Sequence, residues 1–257
     1  MSEIRLKPSF LIIGAQKAGT TSLFHYLGQH PDFILPRRKE IHFFDLKYDN
    51  GIDWYEQLFP ENIGSGHQIT GEASPCYLFH PIVPERVHRH YPGMKLIVLL
   101  RDPVDRAYAH FQMERKRKRD AEPVPSFMQA VEMEAARIGE EEQKILRGEI
   151  QSGTRFRNCS YMKRGLYGQQ LQRWRSFFPA NQFLLFKSED FFSSTLTCME
   201  NVHAFLGIRN IPPANISPQN TNEYPALSVA DRNKLKDYFS EDGLLLQKLA
   251  GTHFSWW

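Results

Sequence analysis

Phe10-Leu-Ile-Ile-Gly-Ala-Gln-Lys-Ala-Gly-Thr-Thr21 is the stretch that decides the architecture. Phe10 to Ile13 is an apolar run, half of it β-branched, with the length of a buried strand. It stops at Gly14, and Thr20 to Gly28 then carries Leu23, Phe24 and Leu27 at helical core spacing. A strand, a glycine-bracketed loop and a helix, in that order, aim loop amides and a helix N-terminus at an anion. The switch recurs along the chain. Lys95 to Leu100 is a buried strand, and after Pro103 a helical stretch runs through about Arg117. Gln68 to Ala73 reads as another strand, before a proline-opened helix over 81–90. Gln182 to Phe186 reads as a further strand, before a helix over 194–206. Alternating strands and helices predict an α/β protein, a P-loop-like parallel sheet flanked by helices on both faces. The remaining segments read as an amphipathic helix over 166–178, a peripheral helix over 126–147, a proline- and asparagine-rich loop over 209–225 and a final helix over 228–239.

The bulk properties agree with this. A chain of 257 residues suits one domain, taken as 1–257, with a substantial core. Hydrophobic residues at 41% and charged residues at 24% are ordinary globular usage, which argues against disordered and membrane-spanning classes. The first ten residues lack the apolar core of a signal peptide and no apolar run approaches a membrane span, so the cytoplasm is the expected compartment. Cys76, Cys159 and Cys198 are odd in number and lack CxxC spacing, which argues for reduced thiols and against a disulfide framework or structural zinc. A net charge of +3 does not point to nucleic acid, although Arg115 to Arg119 is a dense basic run. That run is either an attractor for an acidic acceptor or a solvated helix face. Oligomeric state is not legible.

The loop departs from the nucleoside triphosphatase pattern in one respect. A Walker A loop places lysine directly after its second glycine; here Thr20 follows Gly19, and the lysine is Lys17, inside the loop. The displacement changes which ligand oxygen the ammonium reaches. With Lys17, Ala18, Gly19, Thr20 and Thr21 in this order, the chain resembles the PAPS-dependent sulfotransferases, in particular the heparan sulfate N- and 3-O-sulfotransferase branch and its bacterial relatives. The resemblance implies the sulfotransferase fold, with 3′-phosphoadenosine 5′-phosphosulfate (PAPS) as donor and 3′-phosphoadenosine 5′-phosphate (PAP) as product. It also implies that these residues form the 5′-phosphosulfate loop, that Lys17 contacts the sulfate-bearing phosphate, and that no metal is required.

Two more segments carry the resemblance. Glu40-Ile-His-Phe-Phe-Asp45 matches a segment that lines the acceptor site in that family. If extended, it puts Glu40 and His42 on one face and turns Ile41 and Phe43 to the core. Glu40 is then the candidate general base, His42 supports proton transfer or stabilises charge, and Asp45 orients a neighbour. Leu96 to Tyr108 matches the family's 3′-phosphate segment, which assigns Arg101 to that phosphate; a planar fork of donors at the end of a parallel strand suits it.

Departures concern the acceptor and the rim. The family's serine eight residues after the arginine is Ala109 here, leaving His110 or a backbone amide as substitutes. A lysine of the heparan sulfate enzymes is replaced by Ala73, within Gly71 to Tyr77. The family's C-terminal Lys-Gly-Arg donor loop is replaced by Asn220 to Pro225, with Thr221 and Asn222 as donor-binding candidates. Tyr167 and Trp174 echo the family, yet a Tyr and a Trp at helical spacing are more often core than ligand contacts. Residues 111–160 and the C-terminal loop are expected to shape the acceptor entrance. The acceptor stays open among a small molecule, a carbohydrate and a lipid or polyketide. Two other classes compete: a Mg-ATP phosphotransferase with Asp102 as its metal ligand beside Thr21, and a nucleotide-binding module without catalysis.

Overall fold

In the computed structural model, residues 5–61, 68–117, 126–220 and 223–256 are described. Strand β1 (Phe10–Gly14) leads through the glycine loop into α1 (Thr20–Leu27). Two short helices, α2 (Phe43–Leu46) and α3 (Ile52–Glu56), precede β2 (Gly71–Ala73). Then come α4 (Val83–His90), β3 (Lys95–Leu100) and α5 (Pro103–Arg117). Helices α6 (Phe127–Glu132), α7 (Glu134–Leu146), α8 (Thr154–Cys159) and α9 (Tyr167–Arg175) separate β3 from β4 (Phe183–Lys187). The chain continues through α10 (Ser188–Ser193), α11 (Thr195–Leu206), α12 (Val229–Lys236) and α13 (Ser240–Ala250).

The four strands form one sheet in the order β2-β1-β3-β4, and each neighbouring pair is parallel. A parallel sheet covered by helices needs strands that are apolar on both faces. Every residue of β1 is buried, as is every residue of β3 after Lys95. Because the strands run the same way, the loops that leave β1 and β3 emerge on one edge, where ligands of such sheets bind. Their approach is direct: the Ala15 amide donates to the Leu99 carbonyl at 2.6 Å.

Several segments differ from the sequence reading. The strand expected over 68–73 is reduced to its last three residues, since Ile69 makes only a single bridge, to Phe33. The segment 126–147 is two helices joined at Met133, and it is not peripheral. Phe127, Ala130 and Ile138 pack with Val104, Phe111 and Tyr161, and buried Glu134 accepts from the amides of Met162 (2.7 Å) and Lys163 (2.8 Å). A Glu-rich stretch reads as exposed because charged side chains seldom go inside unless paired; here the partners are two distant amides. Past 239, where the final helix was expected to end, α13 packs against α9, and Asp242 accepts from the amides of Gly168 (2.7 Å) and Gln169 (2.9 Å). Trp174 and Tyr167 are core: the indole donates to the Leu78 carbonyl at 3.2 Å and both side chains are fully covered.

Gly71 sits against β1 so closely that a Cβ would lie 2.5 Å from the Phe10 carbonyl oxygen, which as backbone cannot step aside. Gly71→Ala is therefore expected to destabilise the protein by about 1–3 kcal/mol, the usual cost of overpacking. A thermal or urea unfolding curve indistinguishable from that of the parent would contradict this close approach.

Candidate active site

The phosphate loop is bent by two residues in the left-handed region, Lys17 (φ 72°) and Gly19 (φ 101°). A side chain at Gly19 would also meet the Phe192 ring at 2.9 Å. The loop is pinned from the neighbouring strand ends: the hydroxyl of buried Ser188 donates to the Ala18 carbonyl at 2.9 Å. Beyond it, α1 starts without a side-chain cap, so its first amides, from Thr20 onward, have no partner within the helix. These groups border a cleft of about 730 Å³, and Lys17, Gly19, Thr20 and Thr21 line it; Ala18 faces the core. Burial, then the positive charges of Arg101 and Arg117, push the Lys17 ammonium below its usual proton affinity.

Arg101 enters the same cleft from the end of β3, and its guanidinium donates to the Lys17 carbonyl at 3.3 Å. The Tyr167 hydroxyl donates to the Arg101 carbonyl at 3.0 Å, so this tyrosine positions the strand end from the core. Asp102 does not line the cleft that Thr21 lines. One carboxylate oxygen caps α5 by accepting from the amides of Val104 (2.9 Å) and Asp105 (3.0 Å), and the other pairs with Arg232 at 3.0 Å. An oxygen set committed in this way offers little to a magnesium ion beside the loop. His110, suggested as a replacement for the absent serine at Ala109, is fully buried against Tyr161 and does not line the cleft. Burial holds its ring neutral, well below the usual histidine range, and a neutral ring sealed in the core is no phosphate ligand.

Glu40, His42 and Asp45 come together, by a route other than the expected one. The segment is not extended: Glu40 (φ 58°) and His42 (φ 55°) are both left-handed, and His42 caps α2. The two turns still send Ile41 and Phe43 into the core and leave Glu40 and His42 in the cleft. The left-handed turns have an identifiable cause, a buried carboxylate. Glu72, fully buried on β2, accepts from the hydroxyls of Tyr55 (2.9 Å), Tyr77 (2.9 Å) and Ser74 (2.7 Å) and from the Ile41 amide (3.1 Å). Ser74 in turn accepts from the His42 amide at 3.2 Å, and Tyr77 from the Phe43 amide at 2.9 Å. Backbone donors that an extended strand would offer to a neighbour are consumed by this cluster. Burial raises the proton affinity of Glu72, against the hydrogen bonds it accepts.

In the chain so formed, Asp45 pairs with His42 Nδ1 at 2.9 Å, and His42 Nε2 faces Glu40 at 3.7 Å. Burial works to lower the His42 pKa, but the hydrogen bonds and charges of Asp45 and Glu40 outweigh it and push it up to about 10. The imidazolium in turn, with Lys39, holds Glu40 down at about 2. His42, Asp45 and Cys76 also place one nitrogen, one oxygen and one sulfur within 4.8 Å of one another. Within this group Nδ1 is already engaged by Asp45 and the Arg164 guanidinium donates to the sulfur at 3.4 Å.

Lys39 was not singled out in the sequence, yet its ammonium donates to Thr21 Oγ1 and to Glu40, both at 2.9 Å. The signal that could have found Glu72 was a lone charge within the strand read over 68–73. The segments expected at the acceptor entrance do reach the cleft, through Met113, Arg117, Arg157 and Asn158, and through Ile216 and Gln219 of the C-terminal loop. That loop is fastened to α1: the Tyr26 hydroxyl donates to the Ile216 carbonyl at 2.7 Å, and the Gln219 amide to Ser22 at 2.9 Å. Thr221 and Asn222 lie outside the described residues, as do Lys118 and Arg119 of the basic run.

An anion cradle on a parallel sheet, opposed by an ionised acid and an imidazolium, is the layout of a group transferase. The sulfotransferase domain model matches residues 7–235, and the chain belongs to that family. It is 28% identical over 97% of its length to the membrane-associated sulfotransferase kil1 of Dictyostelium discoideum. Over 79% of its length it is 33% identical to heparan sulfate glucosamine 3-O-sulfotransferase 6 of Mus musculus. It spans 66% of the first relative and 53% of the second. Among solved structures, a sulfotransferase from Alicyclobacillus acidocaldarius superimposes with a TM-score of 0.76 at 28% identity, covering 97% of this chain and 98% of that one.

Two outcomes follow from the geometry. Glu72→Gln must point an amide group at donors and is expected to cost about 1–3 kcal/mol, the penalty for buried groups left unpaired; denaturant unfolding measures it. His42, raised from 6.5 to about 10 on folding, favours the folded state fully below pH 6.5. That contribution is lost as the pH rises through about 10. The stability difference between the parent and His42→Asn should shrink over this window, and a difference independent of pH would refute the ion pairing.

Proposed function

We propose that this chain transfers the sulfuryl group of PAPS in line to a hydroxyl or amine, with Glu40 as general base. The observation that carries the reading is the meeting, in one cleft, of Lys17 with the start of α1 on one side and the ionised Glu40 and protonated His42 on the other. In this reading the backbone and hydroxyls of Ala18 to Thr21 take the 5′-phosphosulfate and Arg101 takes the 3′-phosphate. As the acceptor oxygen bonds to sulfur, its proton passes to Glu40 and the bond from sulfur to the phosphate oxygen breaks. Charge collects on that leaving oxygen, where Lys17 meets it. His42 already carries its proton at neutral pH, so it serves as a fixed positive charge beside the transferring group, and Asp45 holds its ring. No step calls for a metal.

The rival phosphotransferase needs Asp102 on a magnesium ion, and Asp102 is engaged with the start of α5 and Arg232. A module without catalysis leaves the Glu40–His42–Asp45 chain without a purpose. For the acceptor, the heparan sulfate relatives and the cleft-lining Arg117 and Arg157 favour a carbohydrate with negative charge over an uncharged small molecule or a polyketide. The three cysteines, all buried thiols, support work in a reducing compartment such as the cytoplasm.

Calorimetric titration should show PAP binding without magnesium and more tightly than Mg-ATP. Glu40→Gln should keep PAP affinity while transfer of label from PAPS to an acceptor drops by about 10²–10⁴-fold, the range for loss of a general base. Preference for Mg-ATP, or near-parental transfer by Glu40→Gln, would overturn the reading.

A further inference from the structure

We propose that Lys39 is a positioning residue for Glu40 that couples the donor loop to the base: an anion bound at Thr21 draws the Lys39 ammonium away from Glu40. The inference rests on the reading of Glu40 as the base and of the loop as the donor site.

The geometry is specific. Lys39 precedes Glu40 in the chain, but its side chain, 23% exposed, reaches across to the first turn of α1. There it splits its charge between a neutral hydroxyl, Thr21 Oγ1, and a carboxylate, Glu40 Oε1, at 2.9 Å each. An ammonium has three protons and a rotatable stem, so it can follow the stronger acceptor. The start of α1 is where a phosphate or sulfate oxygen arrives, and an anionic oxygen beside Thr21 is a far better acceptor than the hydroxyl.

The consequence concerns proton affinity. The groups that act on Glu40 are His42 and Lys39, from its own segment. The same cleft is lined by Lys17 from the loop, Arg101 from just past β3, Asp105, Glu114 and Arg117 from α5, Arg157 from α8 and Glu189 from α10. With Lys39 and His42 both against it, Glu40 is held at about 2, where a carboxylate accepts a proton weakly. A base works best when its affinity approaches the working pH. Shifting Lys39 toward a bound donor removes one of the two charges and strengthens the base only once the sulfuryl group is in place.

Carboxyl-carbon NMR titration of Glu40 tests this without any turnover, using PAP as the probe. In the parent, PAP should raise the Glu40 midpoint. In Lys39→Met the midpoint should start higher, by about tenfold in proton affinity, and respond to PAP much less. Lys39→Arg, which keeps the charge, should restore the parental midpoint. Thermal unfolding separates these shifts from loss of structure. Identical midpoints in the parent and Lys39→Met, or equal responses to PAP in both, would overturn the proposal. If PAP binds neither protein, the donor reading falls and the coupling with it, while the comparison without PAP still reads whether Lys39 acts on Glu40.

Discussion

A carboxylate sealed from water, Glu72, is the constraint on which the site depends. Burying a charged group is costly unless its acceptor capacity is filled, and Glu72 is filled by three hydroxyls and the Ile41 amide. That solution dictates the path of a second segment. The chain from Glu40 to Phe44 has to present its amides inward to the Glu72 cluster, through Ser74 and Tyr77, and it does so by adopting two left-handed residues. Glu40 and His42 reach the cleft because the backbone between them is anchored from beneath.

The sheet supplies the other half. Parallel strands β1 and β3 end together, so the loop carrying Lys17 and the residue Arg101 emerge side by side, joined by the contact between Arg101 and the Lys17 carbonyl. Ser188, just after β4, closes the set by holding Ala18. Groups from three strand ends thus converge on the loop, and the turn before α2, anchored to Glu72 and Ser74, brings Glu40 to the same cleft. The glycine loop and the Glu40 turn are separate pieces of chain, and the Lys39 side chain bonds to both.

How much of this could be read from the sequence follows from how local each feature is. The phosphate loop was legible because strand, glycines and helix lie within a dozen residues and each has its own signal. The pairing of Glu40 with His42 was legible, but its backbone was not, since the reason for the left-handed turns sits on β2, some thirty residues away. The split at Met133 and the burial of Glu134 were hidden for the same reason: their partners are the amides of Met162 and Lys163. Lys39 stood in plain view beside Glu40, but its reach to Thr21 depends on a turn that spacing does not reveal. His110 misled because proximity in sequence to Arg101 says nothing about which face of α5 it occupies.

In the proposed role as a donor site, the cleft also has to tolerate carboxylates at its wall, for it holds Glu40, Asp105, Glu114 and Glu189. Left bare, they would repel the donor. Each is answered locally: Asp105 by Arg232, Glu114 by Arg117 at 3.9 Å, Glu189 by the Asp102 amide at 3.2 Å, and Glu40 by Lys39 and His42. In the proposed reading Lys17 and Arg101 are the charges that meet the donor; burial first, and then the charges of Arg101 and Arg117, depress the affinity of Lys17 for its proton, and a bound anion would offset that repulsion. On that reading the positive field of these residues is a source of selectivity for a ligand carrying more than one negative group.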